Sequence, residues 1–471
     1  MIDNERLYST FQPNIIMIMM DATRADRLSC YGYPRSTTPH IDKISEQSIL
    51  YEQAFSPDVW TLPVATSIFT GLMPHEHGVD FDNPRLPDEI TTLAERLSRN
   101  GYETWGISPG VWIGPSTNLS RGFSRFLEPH RLIKTRKLPH LVEPINRIYT
   151  KYFFKRSDKG ADRINQAAIK WLTMERSNPS APFFMFLHYM EPHYPYRPPT
   201  PFYERFLEDR AAVREAQAIK YHPLDFLAGK LSLSARQVSL LNDLYDGELA
   251  HLDSKIGELY SKLESHQFLE NTVIILFADH GESLGEHGLF DHHFALYDTL
   301  IRVPLIVRLP VVSSGGTRIS ELVQTNELHS FVLKIASIRG QSSSKLAPLR
   351  GEDSIGYVLS ETPGAFVEST RRRHPAADLD HFARNIYSVR TSKYKYIEGS
   401  DGSVEFYDLQ RDPDEKVNLA TAMANSAEMK RLRELLHRDL PVSVPNKRPT
   451  SDLSDDDPVF VERLRSLGYL D

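Results

Sequence analysis

The chain has 471 residues, 40% of them hydrophobic and 25% charged. That is enough apolar material to bury a large core, and it excludes wholesale disorder. Fifty-five Lys and Arg against 62 Asp and Glu leave a net charge of −7, which argues against gripping nucleic acid as the main task. A single cysteine, Cys30, excludes a disulfide framework and Cys-based zinc or iron–sulfur sites, whereas histidine, at 18, is plentiful.

In chain order, the first element is the apolar run Ile15–Met20, strand-sized and ending at Asp21. It follows Asp3 and Glu5 rather than a basic region, and no apolar run reaches the roughly 20 residues of a membrane span. The expectation is therefore a cytoplasmic chain without a secretory leader. Helical patterns follow at Ile41–Gln47, at Val64–Thr70 after Trp60-Thr61-Leu62-Pro63, and at Leu86–Asn100.

Between Arg131 and Arg163 stand ten Lys or Arg against Glu143, Asp158 and Asp162, interleaved with Tyr149, Tyr152, Phe153 and Phe154. This basic insertion is either a solvated helical segment or a cap that attracts an anionic substrate or a membrane surface. Further on come a helix at Ala161–Arg176, a strand at Pro182–His188 and a long helix at Ala235–Leu263. A strand at Thr272–Ala278 ends at Asp279, and another of the same buried, parallel kind is expected at Val303–Val307. Strands alternating with helices predict an α/β fold, a large mainly parallel sheet sandwiched by helices.

The composition shifts near Glu361–Asp380. Beyond it, Ile386–Thr391, Lys393–Ile397 and Val404–Asp408 alternate as antiparallel strands, with a charged helix at Ser426–Arg438. Thr450–Asp457 predicts a solvated acidic linker before a last helix at Val459–Leu467. The expected division is a catalytic domain over residues 1–375 and a small α+β subdomain over 376–471.

Three constellations could carry chemistry: Asp21 at a strand end, Thr61 at a helix start, and Asp279-His280-Gly281 at another strand end. Singly, each has a plain explanation as a turn, a cap or a loop. Together, two carboxylates and an imidazole at one sheet edge suit a hard or borderline divalent cation. A hydroxyl beside such a cation loses its proton more readily and becomes a nucleophile. The free N–H groups of a helix start favour a tetrahedral oxyanion held next to Thr61.

The ordered series of motifs resembles the sulfatases of the alkaline phosphatase superfamily. It runs through Asp21 with Thr23-Arg24-Ala25-Asp26, Cys30-Tyr31-Gly32, Thr61-Leu62-Pro63 with Phe69-Thr70-Gly71, and Pro74-His75-Glu76-His77-Gly78. It continues with Pro192-His193, Tyr245-Asp246-Gly247-Glu248, Asp279-His280-Gly281-Glu282, Gly285-Glu286-His287-Gly288, Arg302-Val303-Pro304-Leu305 and Tyr407-Asp408-Leu409.

The resemblance implies an alkaline-phosphatase-like fold with the nucleophile at Thr61, where sulfatases carry a Cys or Ser oxidised to formylglycine. Threonine has a methyl on Cβ, so its oxidation would give a ketone, and no formylglycine is expected. The motif's Arg is replaced by Ala65, and a second metal-binding Asp by Ala22. The implied single-metal set is Asp21, Thr61, Asp279 and His280, with Mn²⁺ or Zn²⁺ favoured over Ca²⁺ or Mg²⁺. No second Asp/His/His set stands out.

His193 matches the family histidine that contacts the substrate or protonates the leaving oxygen. His292 or His293 takes the place of a residue that touches the nonbridging oxygens. His188, His75, His77 and His287 are expected to organise loops, Arg24 and Asp26 to pair structurally, and Cys30 to be a small buried residue.

The expected activity is metal-dependent hydrolysis of a sulfate or phosphate mono- or diester. The substrate would be a small anionic ester or a sulfated or phosphorylated glycan or lipid, with peripheral membrane association at most. The alternative is a phosphotransferase that moves a phosphoryl headgroup to an alcohol on a lipid or polysaccharide.

Overall fold

The computed structural model describes residues 12–129, 158–310, 316–336, 356–364, 367, 371 and 374–440. β1 (Asn14–Met20) is buried at every position. It runs inside a sheet covered on both faces, where a continuous apolar run fits better than alternation. The sheet also contains β2 (Ile49–Phe55), β3 (Glu103–Ile107), β4 (Arg125–Leu127), β5 (Phe183–Tyr189), β6 (Thr272–Phe277), β7 (Arg302–Arg308) and β8 (Thr317–Gln324). Their spatial order is β8-β2-β7-β6-β1-β5-β3-β4.

β7 is antiparallel to β2 and β6, while the other pairings are parallel. This corrects the expectation of a parallel strand at Val303–Val307. A parallel neighbour needs a crossover to the far end of the sheet. The chain between β6 and β7 instead stays at the carboxyl edge, where it builds loops and a one-turn helix at Asp298–Ile301.

Successive β1 side chains point to opposite faces. Ile15, Met17 and Met19 pack with Leu62, Val64, Ile68 and Phe69 of α2, while Ile16, Ile18 and Met20 join the cluster that holds Leu244, Leu252 and Ile256 of α5. The helices that flank the sheet include α1 (Pro39–Ser45), α2 (Thr61–Thr70), α3 (Leu93–Arg99), α4 (Ala161–Met174) and α5 (Ala235–Ser265).

The helix expected from Leu86 begins only at Leu93. Thr92 accepts from Glu95 N at 3.2 Å, and Glu95 Oε2 accepts from Thr92 N at 2.8 Å, so a capping box fixes the start. Among the described residues no helix is long and apolar enough to cross a membrane.

A second, antiparallel sheet has the order β9 (Val358–Thr362), β10 (Ile386–Arg390), β11 (Tyr394–Gly399) and β12 (Val404–Asp408). Its first strand lies ahead of residue 376, before the composition shift. Leu432 and Leu436 of α6 (Ala427–Asp439) cover it, against Val389, Tyr396 and Phe406. The basic insertion up to residue 157 and the expected elements at Thr450–Asp457 and Val459–Leu467 lie outside the described residues.

Candidate active site

β1 and β6 are parallel neighbours with Met19 opposite Phe277, so Asp21 and Asp279, just past their carboxyl ends, stand side by side. This is the edge where parallel sheets place their chemistry. Asp279 Oδ1 accepts from Ala22 N at 3.2 Å and from His280 N at 2.9 Å. Ala22, where the family often has a second Asp, adopts a left-handed φ of 53°. The next turn requires glycine: a Cβ on Gly281 would lie 2.0 Å from the Thr299 carbonyl oxygen.

Thr61 is the first residue of α2, and its Oγ1 lies 3.3 Å from His280 Nε2. The Thr61 and Leu62 N–H groups fall in the first turn, which forms no internal helix bonds. His280 Nδ1 donates to the Gly281 carbonyl at 2.8 Å. With Nδ1 donating, Nε2 is the ring nitrogen left to accept or to ligate. That nitrogen is 3.4 Å from Asp279 Oδ2 and 3.7 Å from Asp21 Oδ1. Both oxygens are buried without a hydrogen-bond partner.

A lone pair, a hydroxyl and two orphaned carboxylate oxygens thus converge on one point. Buried acceptors facing one another without donors are costly. The donor set fits one divalent cation. Burial pushes the Asp21 carboxyl up, but the imidazoles of His193, His188 and His280 outweigh it and hold Asp21 below its ordinary value. Asp279 is pushed up, by burial first and then by the charge of Asp21.

The remaining expected residues stand beside this set. His193, in the loop after β5, donates from Nδ1 to the Tyr194 carbonyl at 2.7 Å. The loop is held by Lys159, whose Nζ donates to the His193 carbonyl at 2.6 Å and pairs with Glu248 at 3.0 Å. His292 Nδ1 donates to the Val59 carbonyl at 2.8 Å, which ties it to the segment leading into Thr61.

The His280 and His292 rings stack at 4.1 Å, and His293 packs against His292 at 4.2 Å. Burial, then the neighbouring imidazoles of His280, His293 and His193, pushes His292 well below its ordinary value. Burial first, with the imidazoles of His280 and His193 and against the charge of Asp291, takes His293 down to about 4. Asp291 and Phe294 flank the pair with left-handed φ values of 73° and 68°, conformations rarely kept by such side chains outside constrained sites.

The structure therefore gathers Asp21, Thr61, His193, Asp279, His280, His292 and His293 in one place. Sequence reasoning gave no role to Asp291, which precedes His292 and lies within ligand distance of it and of His193. It also took His188 for a loop organiser, with substrate contact as the alternative. His188 Nε2 bonds Asp21 Oδ2 at 2.8 Å and its Nδ1 meets Ser108 Oγ at 2.9 Å, so it orients a candidate ligand. The signal was its position in β5, opposite Met19 of β1.

Of the other histidines, His77 bonds Ser67 and the Pro63 carbonyl of α2, His75 bonds Glu361, and the His287 ring stacks on Tyr297. Arg24 pairs with Asp26 and Glu286. Cys30 is half-buried rather than buried, and burial pushes its thiol up.

A family model described as Sulfatase matches residues 13–338, more than half of the chain. The chain belongs to the sulfatase family. A second model, described as N-sulphoglucosamine sulphohydrolase, C-terminal, matches residues 285–441 of this family member. The chain is 24% identical to an arylsulfatase of Clostridium perfringens, over 91% of this chain and 94% of that protein. It is also 24% identical to an N-acetylglucosamine-6-O-sulfatase of Bacteroides thetaiotaomicron, over 92% and 87%.

Among solved structures, the phosphonate monoester hydrolase of Agrobacterium radiobacter has a TM-score of 0.70 at 18% identity, covering 91% of this chain and 95% of its own. A structure in complex with its substrate D-glucosamine-2-N,6-O-disulfate has a TM-score of 0.70 at 20% identity, covering 94% and 100%. This sulfatase-family chain is thus a sulfatase-like ester hydrolase with the alkaline-phosphatase-like fold. The relatives are named for hydrolysis and lend no support to phosphotransfer.

Proposed function

We propose that the chain hydrolyses a sulfate or phosphate mono- or diester through the unmodified hydroxyl of Thr61, without formylglycine. The observation that carries this reading is the position of Thr61 Oγ1, 3.3 Å from His280 Nε2 at a helix start and beside two donorless carboxylate oxygens.

Asp21, Thr61, Asp279 and His280 would hold a divalent cation, Mn²⁺ or Zn²⁺ by donor chemistry, which would supply positive charge that makes the hydroxyl more acidic and attracts the anionic ester. Thr61 Oγ1 loses its proton to solvent and forms a bond to the sulfur or phosphorus as the bond to the leaving oxygen breaks. The leaving oxygen takes a proton within reach of His193 and departs as an alcohol. Water then cleaves the Thr61 ester, releasing sulfate or phosphate, or the phosphate monoester from a diester, and restoring the hydroxyl.

The first-turn N–H groups of α2 face the developing oxyanion charge, and His292 and His293 line the same space. The sulfated glycans acted on by relatives make a sulfated sugar a fitting substrate class.

The test compares wild type with Thr61→Ala on aryl sulfate, phosphate monoester, phosphodiester and phosphonate monoester substrates. Turnover should fall by about 10³-fold or more with unchanged thermal unfolding. Wild-type rates in Thr61→Ala would overturn the mechanism.

A further inference from the structure

We propose that the cleft between the His292–His293 loop and the second sheet binds a neutral sugar ring, at a site separate from the ester site at Thr61. Its purpose, to hold an unsulfated unit of a glycan substrate, rests on the hydrolase reading, whereas the binding itself does not.

The cleft has a volume of about 390 Å³, within the range of sites that hold small ligands. Three parts of the chain meet there. Phe294 and Tyr297 come from the loop that carries His292 and His293, and the Phe294 ring lies 5.7 Å from the His293 ring. Phe226 comes from the short helix Pro223–Leu227. Phe382 and Arg384 stand just ahead of β10, and Glu405 belongs to β12. His374 bonds Asp225 at 2.8 Å and fastens the segment leading to Phe382 onto the short helix.

The walls are aromatic. Phe226, Tyr297 and Phe382 are half-buried and keep part of their surface open. Phe382 is fixed against Phe294 at 4.9 Å, and His287 stacks on Tyr297 at 3.7 Å. Aromatic faces carry negative charge, which the C–H face of a sugar ring complements.

Among the described residues, Glu405 is the one acid and Arg384 the one Arg or Lys that line the cleft. Glu405 Oε2 accepts from the hydroxyls of Tyr297 at 3.0 Å and Tyr407 at 2.6 Å. Arg384 Nη1 donates to Asp401 at 3.2 Å and to Ser403 Oγ. Both side chains are thus held in advance. Glu405 Oε1 and Arg384 Nη2 then face each other at 4.0 Å, beyond hydrogen-bond distance. A hydroxyl both donates and accepts, so it bridges such a gap.

This pairing decides the class of ligand. Asp401 and Glu405 already answer the charge of Arg384, so the cleft has no spare positive charge for a sulfate or phosphate. A wholly apolar ligand would strip water from Arg384 and Glu405 and return no hydrogen bond. A neutral ring with C–H faces and a hydroxylated rim satisfies both the aromatic walls and the polar pair.

The test is saturation-transfer NMR on the full-length protein with the methyl glycosides of glucose, galactose, xylose and N-acetylglucosamine, and with para-cresol as the apolar probe. Wild type and Thr61→Ala should bind at least one glycoside equally. Phe382→Ala should weaken that binding about tenfold, and Arg384→Lys, which keeps the charge but loses the planar fork, should weaken it too. Both variants should cleave aryl esters at the wild-type rate. Wild-type crystals soaked with the bound glycoside should show it between Phe382 and Glu405, and this map decides alone if a variant fails to fold.

Binding of no glycoside, or of para-cresol alone, would overturn the sugar site. So would a glycoside seated at Thr61, or a loss of aryl ester turnover in the folded Phe382→Ala variant, because the cleft would then be part of the ester site. The two readings fail separately. A glycoside in the cleft with no ester cleaved removes the hydrolase and leaves the site, whereas ester cleavage with no glycoside bound removes the site and leaves the hydrolase.

Discussion

Two buried clusters of carboxylates, one at the candidate active site and one between the two sheets, make opposite use of the same chemistry. At the sheet junction, Asp298 receives Arg390 Nε at 3.1 Å and Lys395 Nζ at 2.9 Å, and Lys395 also meets Glu415 at 2.7 Å. Every acid has a basic partner there. At the site, Asp21 and Asp279 each aim an oxygen at the same space as a histidine lone pair, with no donor.

Asp298 and Asp279 divide in the same way. Asp298 is buried, but Arg390 and Lys395 hold it below the ordinary range. Asp279, buried beside Asp21, is pushed up. One cluster is complete as folded and serves the junction. The other, on the reading proposed above, would be completed by a cation, as a functional rather than a structural set would be.

The largest expected effect breaks the incomplete cluster. Asp279→Asn should lose the cation and, with it, several kcal/mol of charge stabilisation, about 10³-fold in turnover, while unfolding little differently from metal-free wild type. Metal analysis and steady-state rates check both halves. Equal metal content and rate would dissolve the contrast between the clusters.

Asp298→Asn attacks the complete cluster and should do the reverse. It leaves the fully buried Lys395 with Glu415 alone and takes the acid from Arg390, and should cost about 3–5 kcal/mol of stability. Rates per folded molecule should be unaltered. Denaturant unfolding alongside kinetics reads this out, and a loss below about 1 kcal/mol would mean the cluster is not the brace described.

A third prediction concerns the shared lysine. Lys395 serves two acids, and burial takes Glu415 up to about 7 from 4.5 despite it. With the folded value raised, this group's contribution to stability is full below pH 4.5 and is lost as pH rises through 7. Wild type should therefore lose up to about 3 kcal/mol relative to Glu415→Gln over that window, measured by unfolding at pH 4.5, 6 and 7.5. A constant difference would refute the proton assignment.

The smallest effect lies behind the metal set. His188→Ala frees Asp21 Oδ2 and should weaken metal binding about 10–100-fold with turnover at saturating metal largely recovered. Titration of metal-free protein measures it, and unchanged affinity would make His188 a packing residue only.

Much of the candidate metal set was legible because its signals are local. Asp21 and Asp279 end uninterrupted apolar runs, and Thr61 precedes a proline at a helix start. Periodicity and strand ends suffice to bring such residues to one sheet edge. What escaped was non-local. The direction of β7 depends on which edge the chain returns to. β9 is a strand only because β10 pairs with it.

Asp291 comes within ligand distance of His193 and His292 because Val59 and Lys159, far away in sequence, orient those two histidines. Leu86–Thr92 looked helical by apolar spacing, and the capping box at Thr92 overrode that signal.

The central claim, that an unmodified Thr61 is the nucleophile, is tested most directly by quenching wild-type enzyme with acid during turnover and mapping its peptides by mass spectrometry. The account predicts a sulfuryl or phosphoryl adduct on the Thr61 peptide, with free Thr61 hydroxyl before substrate is added. An adduct on another residue, or a Thr61 peptide that stays unmodified throughout a rapid, productive turnover, would contradict it.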